Sequence, residues 1–453
     1  MSTLPSARQP EAAIGPPETS SDSSKHAVRG AIVGFLIDNF DIYLPVVALA
    51  PAITYFLAPD LGVQTIALVT SWIFVATLVG RPLGALIFGW LADTIGRRRA
   101  TIIAVSGFGA TTLAIGVLPG YATWGIGAVV ALVALRFVDG MFLGGGYTGA
   151  SPLAMESVPA HRRGVVGGLI QSGANVAYAA IALLTVVTLA IFPPGGPDSA
   201  YSQIGWRVPF VGGAVFALLF AVHYARTVEE SEAWKEARDT RTGGAAILQK
   251  GNLRSLLQVF VWMTGVWLCL NSITALIPAT LRGSNGLTAT QVTWTLVVLY
   301  VVLTFVFVGG ALLSQRIGRR PYLIIASLVA TVPGAAAYAW LVGTGPAGPV
   351  HAGLITVVVG VLVMAPVAVV TVYINERFTT EARGLGFGLG YSLAVVLPSF
   401  YATYQGWLSN LMPAAYTVVV LVVLGGLFQL VGALLGPETK HVQMGPSTTR
   451  ESS

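Results

Sequence analysis

Five side chains in this 453-residue chain stand where ionisable groups are expensive. Asp38 and Asp41 lie in GFLIDNFDIYLP (residues 34–45), Arg81 in GRPLGALIFGW (80–90), and Arg136 and Asp139 in RFVDGMFLGGG (136–146). Each stretch belongs to an apolar run long enough to cross a membrane, where one aspartate costs roughly 2.5–3.5 kcal/mol on insertion scales. A chain carries that cost where the charged face looks onto protein or water rather than lipid. Asp38 and Asp41 are one helical turn apart and share a face. Buried carboxylates beside arginines can gain and lose protons as the arginine approaches or retreats. Asp41, Asp38 and Asp139 are therefore the proton-coupling candidates. Asp41 leads because it lies about 18 Å along the helix from Arg29, near the bilayer midplane.

Arg136 and Arg81 are candidate substrate ligands, since a guanidinium offers a planar fork that fits a carboxylate. A local ion pair between Arg136 and Asp139, three residues on, is the alternative for the first. A helix-packing role beside Pro82 and Gly84 is the alternative for the second. Gln171 and Asn175 recur at helical spacing with Tyr178, and Tyr147, Asn271 and Tyr391 are further polar candidates in apolar runs. Interhelical hydrogen bonding or interfacial anchoring accounts for these equally well.

The elements that position these residues are membrane helices. The chain is 55% hydrophobic and 10% charged, against about 25% charged in average soluble chains, and its mean hydropathy is +0.75. Its 53 glycines and 25 prolines fit membrane helices, where small residues permit close packing and neighbouring groups satisfy kinks. The single Cys269 excludes an intrachain disulfide. Residues 1–27 are Ser-, Pro- and Ala-rich and read as a disordered tail with no secretory signal. Apolar runs follow at 28–57, 64–91, 100–119, 124–150, 164–192, 207–226, 255–281, 290–314, 321–343, 350–375, 384–408 and 414–436. The mixed-charge segment 227–254 divides them into an N-terminal half (28–226) and a C-terminal half (255–436), and 437–453 is a second tail. Arginine clusters follow the even-numbered runs, which puts both termini and the 227–254 linker in the cytoplasm. The +6 net charge is thus topological and speaks against a nucleic-acid partner. The two halves repeat each other. Gly96-Arg97-Arg98 recurs as Gly318-Arg319-Arg320, and Glu156 with Arg163-Gly164 recurs as Glu376 with Arg383-Gly384. Two six-helix repeats with a midplane site between them are the signature of a secondary transporter.

One loop carries a resemblance. GWLADTIGRRR (89–99), with Gly89, Asp93, Gly96, Arg97 and Arg98, closely resembles the signature loop of the major facilitator superfamily. In that family the loop gates between two rigid halves, which implies gating roles here and at the second copy, ALLSQRIGRR (311–320), with Gly318, Arg319 and Arg320. Gln315 stands there in place of the acid, which assigns most gating contacts to the first copy. Glu156, Arg163, Glu376 and Arg383, at helix ends on the same side, join the gating set. GRPLGALIFGW, RFVDGMFLGGG, GWRVPF (205–210) and the Gly34, Asp38, Asp41, Tyr43 pattern are similar to the metabolite:proton symporter family. That resemblance implies a cavity lined by Asp38 and Asp41 and a membrane charge network containing Arg81 and Arg136. Asp139 stands where the family has glutamine, and Gly146 where it has glutamate.

The reading is an all-α integral membrane protein of twelve helices, a proton-coupled symporter of a small organic acid or zwitterion in the plasma membrane. An aromatic acid:proton symporter and an exporter of the same fold are the alternatives. No phosphate-binding glycine loop and no metal-ligand spacing occurs, so the proton gradient serves in place of any cofactor. Scattered mid-membrane acids are unlike the clustered constellation an enzyme needs. The expected partners are a small substrate, protons and lipid, with the chain working as a monomer.

Overall fold

The computed structural model describes residues 21–230, 234–235 and 243–444; of Asp93 and Tyr147 it describes the backbone alone. The expected tails at 1–20 and 445–453 and the middle of the expected linker lie outside the described residues. Every backbone polar group in lipid must be satisfied within its own segment, so apolar runs of this length fold as helices. Twelve helices are long and apolar enough to cross a membrane, and no strand occurs among the described residues. In the first half they are α1 (Asp22–Phe56), α2 (Leu68–Ala92), α3 (Arg97–Gly116), α4 (Ile126–Glu156), α5 (Ala160–Ile191) and α6 (Tyr201–Thr227). The second half has α7 (Lys250–Gly283), α8 (Ala289–Ile317), α9 (Arg319–Gly343), α10 (Pro349–Arg377), α11 (Thr380–Leu408) and α12 (Ala414–Leu435). Several boundaries differ from the sequence reading by a few residues, and two are informative. Helix begins at Ser21, inside the expected tail, and α3 begins at Arg97 rather than 100, because a carboxylate from elsewhere caps it (below).

Proline places the irregular turns. It withholds an N–H and displaces the hydrogen-bond register. A π-helical turn at Pro45–Leu49 breaks α1, and one at Ser272–Leu276, just before Pro278, breaks α7. Pro333 lies in a π turn of α9, and Pro366 opens a 3-10 segment of α10. The breaks in α1 and α7, the first helix of each half, repeat one another. Such turns collect at functional positions.

The most buried helices are α7 and α10, followed by α1 and α11. Outside them, α6 and α12 present rows of exposed apolar side chains, such as Val215, Phe216 and Leu219, and Leu424, Leu427 and Phe428. These suit a lipid solvent. The halves meet along α2 and α11, α4 and α11, α5 and α8, and α5 and α10. At the end carrying the Gly-Arg-Arg loops they touch closely. A methyl on Gly89 would come within 2.7 Å of Leu385 Cδ1 across the seam. At the other end they part around a cavity.

Candidate functional site

The five ionisable groups form two layers beside α1, with Arg81 on α2 and Arg136 and Asp139 on α4. Arg81, Arg136 and Asp139 are 0% exposed, and Asp38 and Asp41 are each 3% exposed. In the first layer Arg136 Nη1 reaches Asp41 Oδ2 at 3.2 Å and Asp139 Oδ2 at 3.1 Å. Its Nε donates to Thr77 Oγ1 at 3.0 Å, and its Nη2 to the Asp41 carbonyl at 3.4 Å. The Thr112 hydroxyl donates to Asp41 and lies 3.5 Å from Asp139 Oδ1. Thus α1, α2, α3 and α4 enclose one guanidinium between two carboxylates, entirely within the N-terminal half. The expected Arg136–Asp139 pair is present, but it is shared with Asp41. Arg136, a candidate substrate ligand in the sequence reading, is held here by these two carboxylates.

The second layer faces the other half. The Arg81 guanidinium lies 5.4 Å from the ring centres of both Trp267 of α7 and Tyr391 of α11. Those rings meet edge-on at 5.1 Å, and Trp267 Nε1 donates to the Tyr391 carbonyl at 2.8 Å. Asp38 lies on the same side, against Gly146, where a methyl would come 2.4 Å from Asp38 Oδ2. Glycine at 146 is what leaves room for this carboxylate. Asp38 Oδ1 is buried with no hydrogen-bond partner, and so is Asn175 Nδ2. A buried polar atom left unpaired costs about 1–3 kcal/mol. Gln171 and Asn271 take other work. Gln171 Oε1 accepts from Thr371 of α10 at 2.9 Å and ties the halves together. Asn271 Nδ2 donates to the Pro398 carbonyl of α11 at 3.0 Å.

At the Gly-Arg-Arg end the base is closed by two related networks. Glu156 of α4 accepts from Arg97 of α3 and from Arg383 of α11, joining the halves. Arg97 Nη2 also donates to the Thr380 carbonyl at 3.1 Å. In the second copy, Arg319 reaches Glu376 through Nε at 3.2 Å and Nη2 at 3.3 Å. Gln315 Oε1 accepts from Arg319 Nη2 at 2.7 Å and from the Gly164 N–H of α5 at 3.1 Å. The second copy therefore crosses the seam as well, through Gln315 in place of the acid. An amide accepts hydrogen bonds as a carboxylate does. Arg163 Nη1 donates to the Val442 carbonyl at 2.7 Å, so the chain beyond α12 also reaches the N-terminal half.

Sequence reasoning missed the caps. Glu230 accepts from the Arg97 and Arg98 N–H groups at 3.0 and 3.1 Å. Glu438 accepts from the Arg319 and Arg320 N–H groups at 2.8 and 3.1 Å. Carboxylates at helix N-termini satisfy orphan donors and the dipole together. Gly96 and Gly318 precede these helices at φ 111° and 103°, where only glycine is at ease. A methyl there would meet Glu230 Oε2 at 2.2 Å and Glu438 Oε2 at 2.5 Å. Burial opposes ionisation of Glu438, but bonds from the Arg319, Lys440, Arg320 and Thr439 N–H groups outweigh it and hold its carboxyl below the ordinary value. The common signal is one acid shortly after the last helix of each half.

Opposite the loops, a cavity of about 460 Å³ lies between the halves, lined by α1, α5, α7 and α8. Tyr178 lines it, stacked on Tyr300 at 3.9 Å and meeting Tyr43 of α1 edge-on at 4.9 Å.

The sequence model of the Major Facilitator Superfamily matches residues 32–400. The proline/betaine transporter of Salmonella typhimurium is 27% identical, over 88% of this chain and 82% of its own. The alpha-ketoglutarate permease of Escherichia coli is 29% identical, over 83% and 85%. Among solved structures, the proton:xylose symporter XylE bound to 6-bromo-6-deoxy-D-glucose superposes with a TM-score of 0.75 at 19% identity, covering 93% of this chain and 97% of that one. That likeness concerns the fold.

Proposed function

We propose a proton-coupled mechanism for this chain, which belongs to the Major Facilitator Superfamily and is a transporter of metabolites rather than an enzyme. In this reading it is a symporter of a small zwitterion or carboxylate, working by alternating access. One observation carries it: a single buried guanidinium stands between two buried carboxylates, Asp41 and Asp139. Two negative charges and one positive leave an uncompensated charge in a low-dielectric interior, and one proton removes it. A conformation that admits water to the cluster lets that proton leave.

The second layer supplies the substrate. Arg81 presents a fork to a carboxylate, and the Trp267 and Tyr391 faces accept a cationic group. Asp38, with one oxygen unbonded, offers the opposite charge to an ammonium. Among the described residues Arg81 is the buried arginine at this layer, the others lying in the first layer or at the base. That favours a zwitterion with one carboxylate over a dicarboxylate. The name of the proline/betaine relative supports this, while that of the alpha-ketoglutarate relative keeps dicarboxylates in the test. Asp38 and Asp41 stand one turn apart on α1, so a shift of α1 on substrate binding moves the proton layer with it. The arginine distribution supports a plasma-membrane orientation with the Gly-Arg-Arg loops and both termini in the cytoplasm, and the reading takes one chain as the working unit.

The test is transport in proteoliposomes with labelled proline, glycine betaine and 2-oxoglutarate, driven by a pH gradient or by counterflow. Asp41→Asn should abolish gradient-driven accumulation and keep counterflow within about tenfold of the parent, because it fixes the neutral state without touching the substrate layer. Accumulation by the variant in proportion to the imposed gradient would overturn the assignment.

A further inference from the structure

The end of the bundle opposite the Gly-Arg-Arg loops carries two arginines, and they differ in kind. Arg207 is consumed by the fold. It donates to the carbonyls of Gln203, Gly116 and Leu118 and to the Tyr55 hydroxyl, and it lies 4.6 Å over the Trp206 ring. Arg282, in the last turn of α7, is exposed, and no hydrogen bond or ion pair to it is found among the described residues. It is the one charged side chain among those lining the cavity of about 460 Å³; the others are apolar apart from Tyr178, Thr185 and Thr293. That volume falls within the range of small-molecule sites. Low-dielectric walls around one sign of charge focus the field and concentrate the opposite ion. Tyr178, which touches Tyr43, links this cavity to α1, the helix that bears Asp38 and Asp41.

We propose that the cavity is an outer subsite in which Arg282 captures the carboxylate of the substrate before it passes the tyrosines to Arg81. The proposal rests on the carboxylate-symport reading above and adds a second, earlier binding position to it. A guanidinium with no protein acceptor keeps both edges of its fork for the incoming anion. The apolar walls hold the rest of a small molecule without competing for it. A cation at a helix C-terminus also stabilises that helix modestly, so the test separates the two roles.

A reporter cysteine at Thr293, in a Cys269→Ala background, samples the cavity. Its reaction rate with a sulfonate-bearing methanethiosulfonate, divided by that with an ammonium-bearing one, reads anion capture with no need for transport. At low salt Arg282→Gln should lower this ratio about tenfold, and Arg282→Lys should keep it within about threefold. In proteoliposomes Arg282→Gln should raise the KM for proline about tenfold with kcat little changed, and the effect should shrink at high salt. An unchanged reagent ratio, or an unchanged KM beside normal proline uptake, overturns the proposal. A Tm drop in Arg282→Gln that is absent in Arg282→Lys, with the reagent ratio equal to the parent's in both, also overturns it, since that assigns Arg282 to the helix end alone. If the parent protein carries none of the three carboxylates, the symport reading fails, and the reagent ratio still decides whether the cavity captures anions.

Discussion

Arg136 answers two carboxylates with one positive charge, and removing it exposes both. Breaking a buried pair by deleting one partner costs about 3–5 kcal/mol, because the other charge stays buried. Arg136→Gln should therefore lower the Tm in detergent markedly. The double variant Arg136→Gln/Asp139→Asn should recover part of that loss, since it removes one stranded carboxylate. A double variant no more stable than Arg136→Gln would mean that Asp139 does not share the charge of Arg136, and the cycle measures the coupling directly. These residues were legible because ionisable groups inside apolar runs are conspicuous by their cost. Thr77 and Thr112, which complete the cluster, were not. Hydroxyls are cheap in a membrane helix, where threonines commonly bond a carbonyl one turn back, as Thr111 does to Gly107 at 2.8 Å. Trp267 was equally hidden, since aromatic residues in membrane helices are as often interfacial anchors.

The elements were legible as runs, and their ends were not. Hydropathy locates a helix by its apolar middle, whereas its start is fixed by whatever satisfies the first N–H groups. For α3 and α9 the partners come from Glu230 and Glu438, 133 and 119 residues away in sequence, which no local pattern shows. Glu438 gives an element-scale prediction. It is exposed, so Glu438→Gln should cost only about 0.5–1 kcal/mol in α9, seen as a small drop in Tm. The carboxyl in the folded protein lies below its ordinary value. Its stabilisation is therefore present above the unfolded-state range and is lost as pH falls through the folded-state range. The Tm gap between parent and variant should be full at neutral pH and close in acid. A gap that stays constant down to pH 3 would mean that charge plays no part in the cap.

At the scale of the whole molecule, the repeat predicted two matching loops at one end but not which state the molecule holds. The described structure is shut at the Gly-Arg-Arg end, through Glu156, Arg97 and Arg383, and hollow at the other. Two such states differ by a few kcal/mol in a carrier that must visit both. Glu156→Gln leaves Arg97 and Arg383 facing each other across the seam without their shared anion. An uncompensated buried charge of this kind costs about 3–5 kcal/mol, and about 5.5 kcal/mol carries a population from 1:99 to 99:1. The variant should therefore favour the conformation open at the base. A cysteine at Thr293 in the Cys269→Ala background lines the cavity, and a membrane-impermeant thiol reagent applied to intact cells should label it in the parent. Glu156→Gln should reduce that labelling at least tenfold, because the cavity closes as the base opens. Lack of labelling in the parent would reverse the proposed orientation of the chain in the membrane. Equal labelling in parent and variant would remove Glu156 from the gate and leave the closure to the Gln315–Gly164 contact.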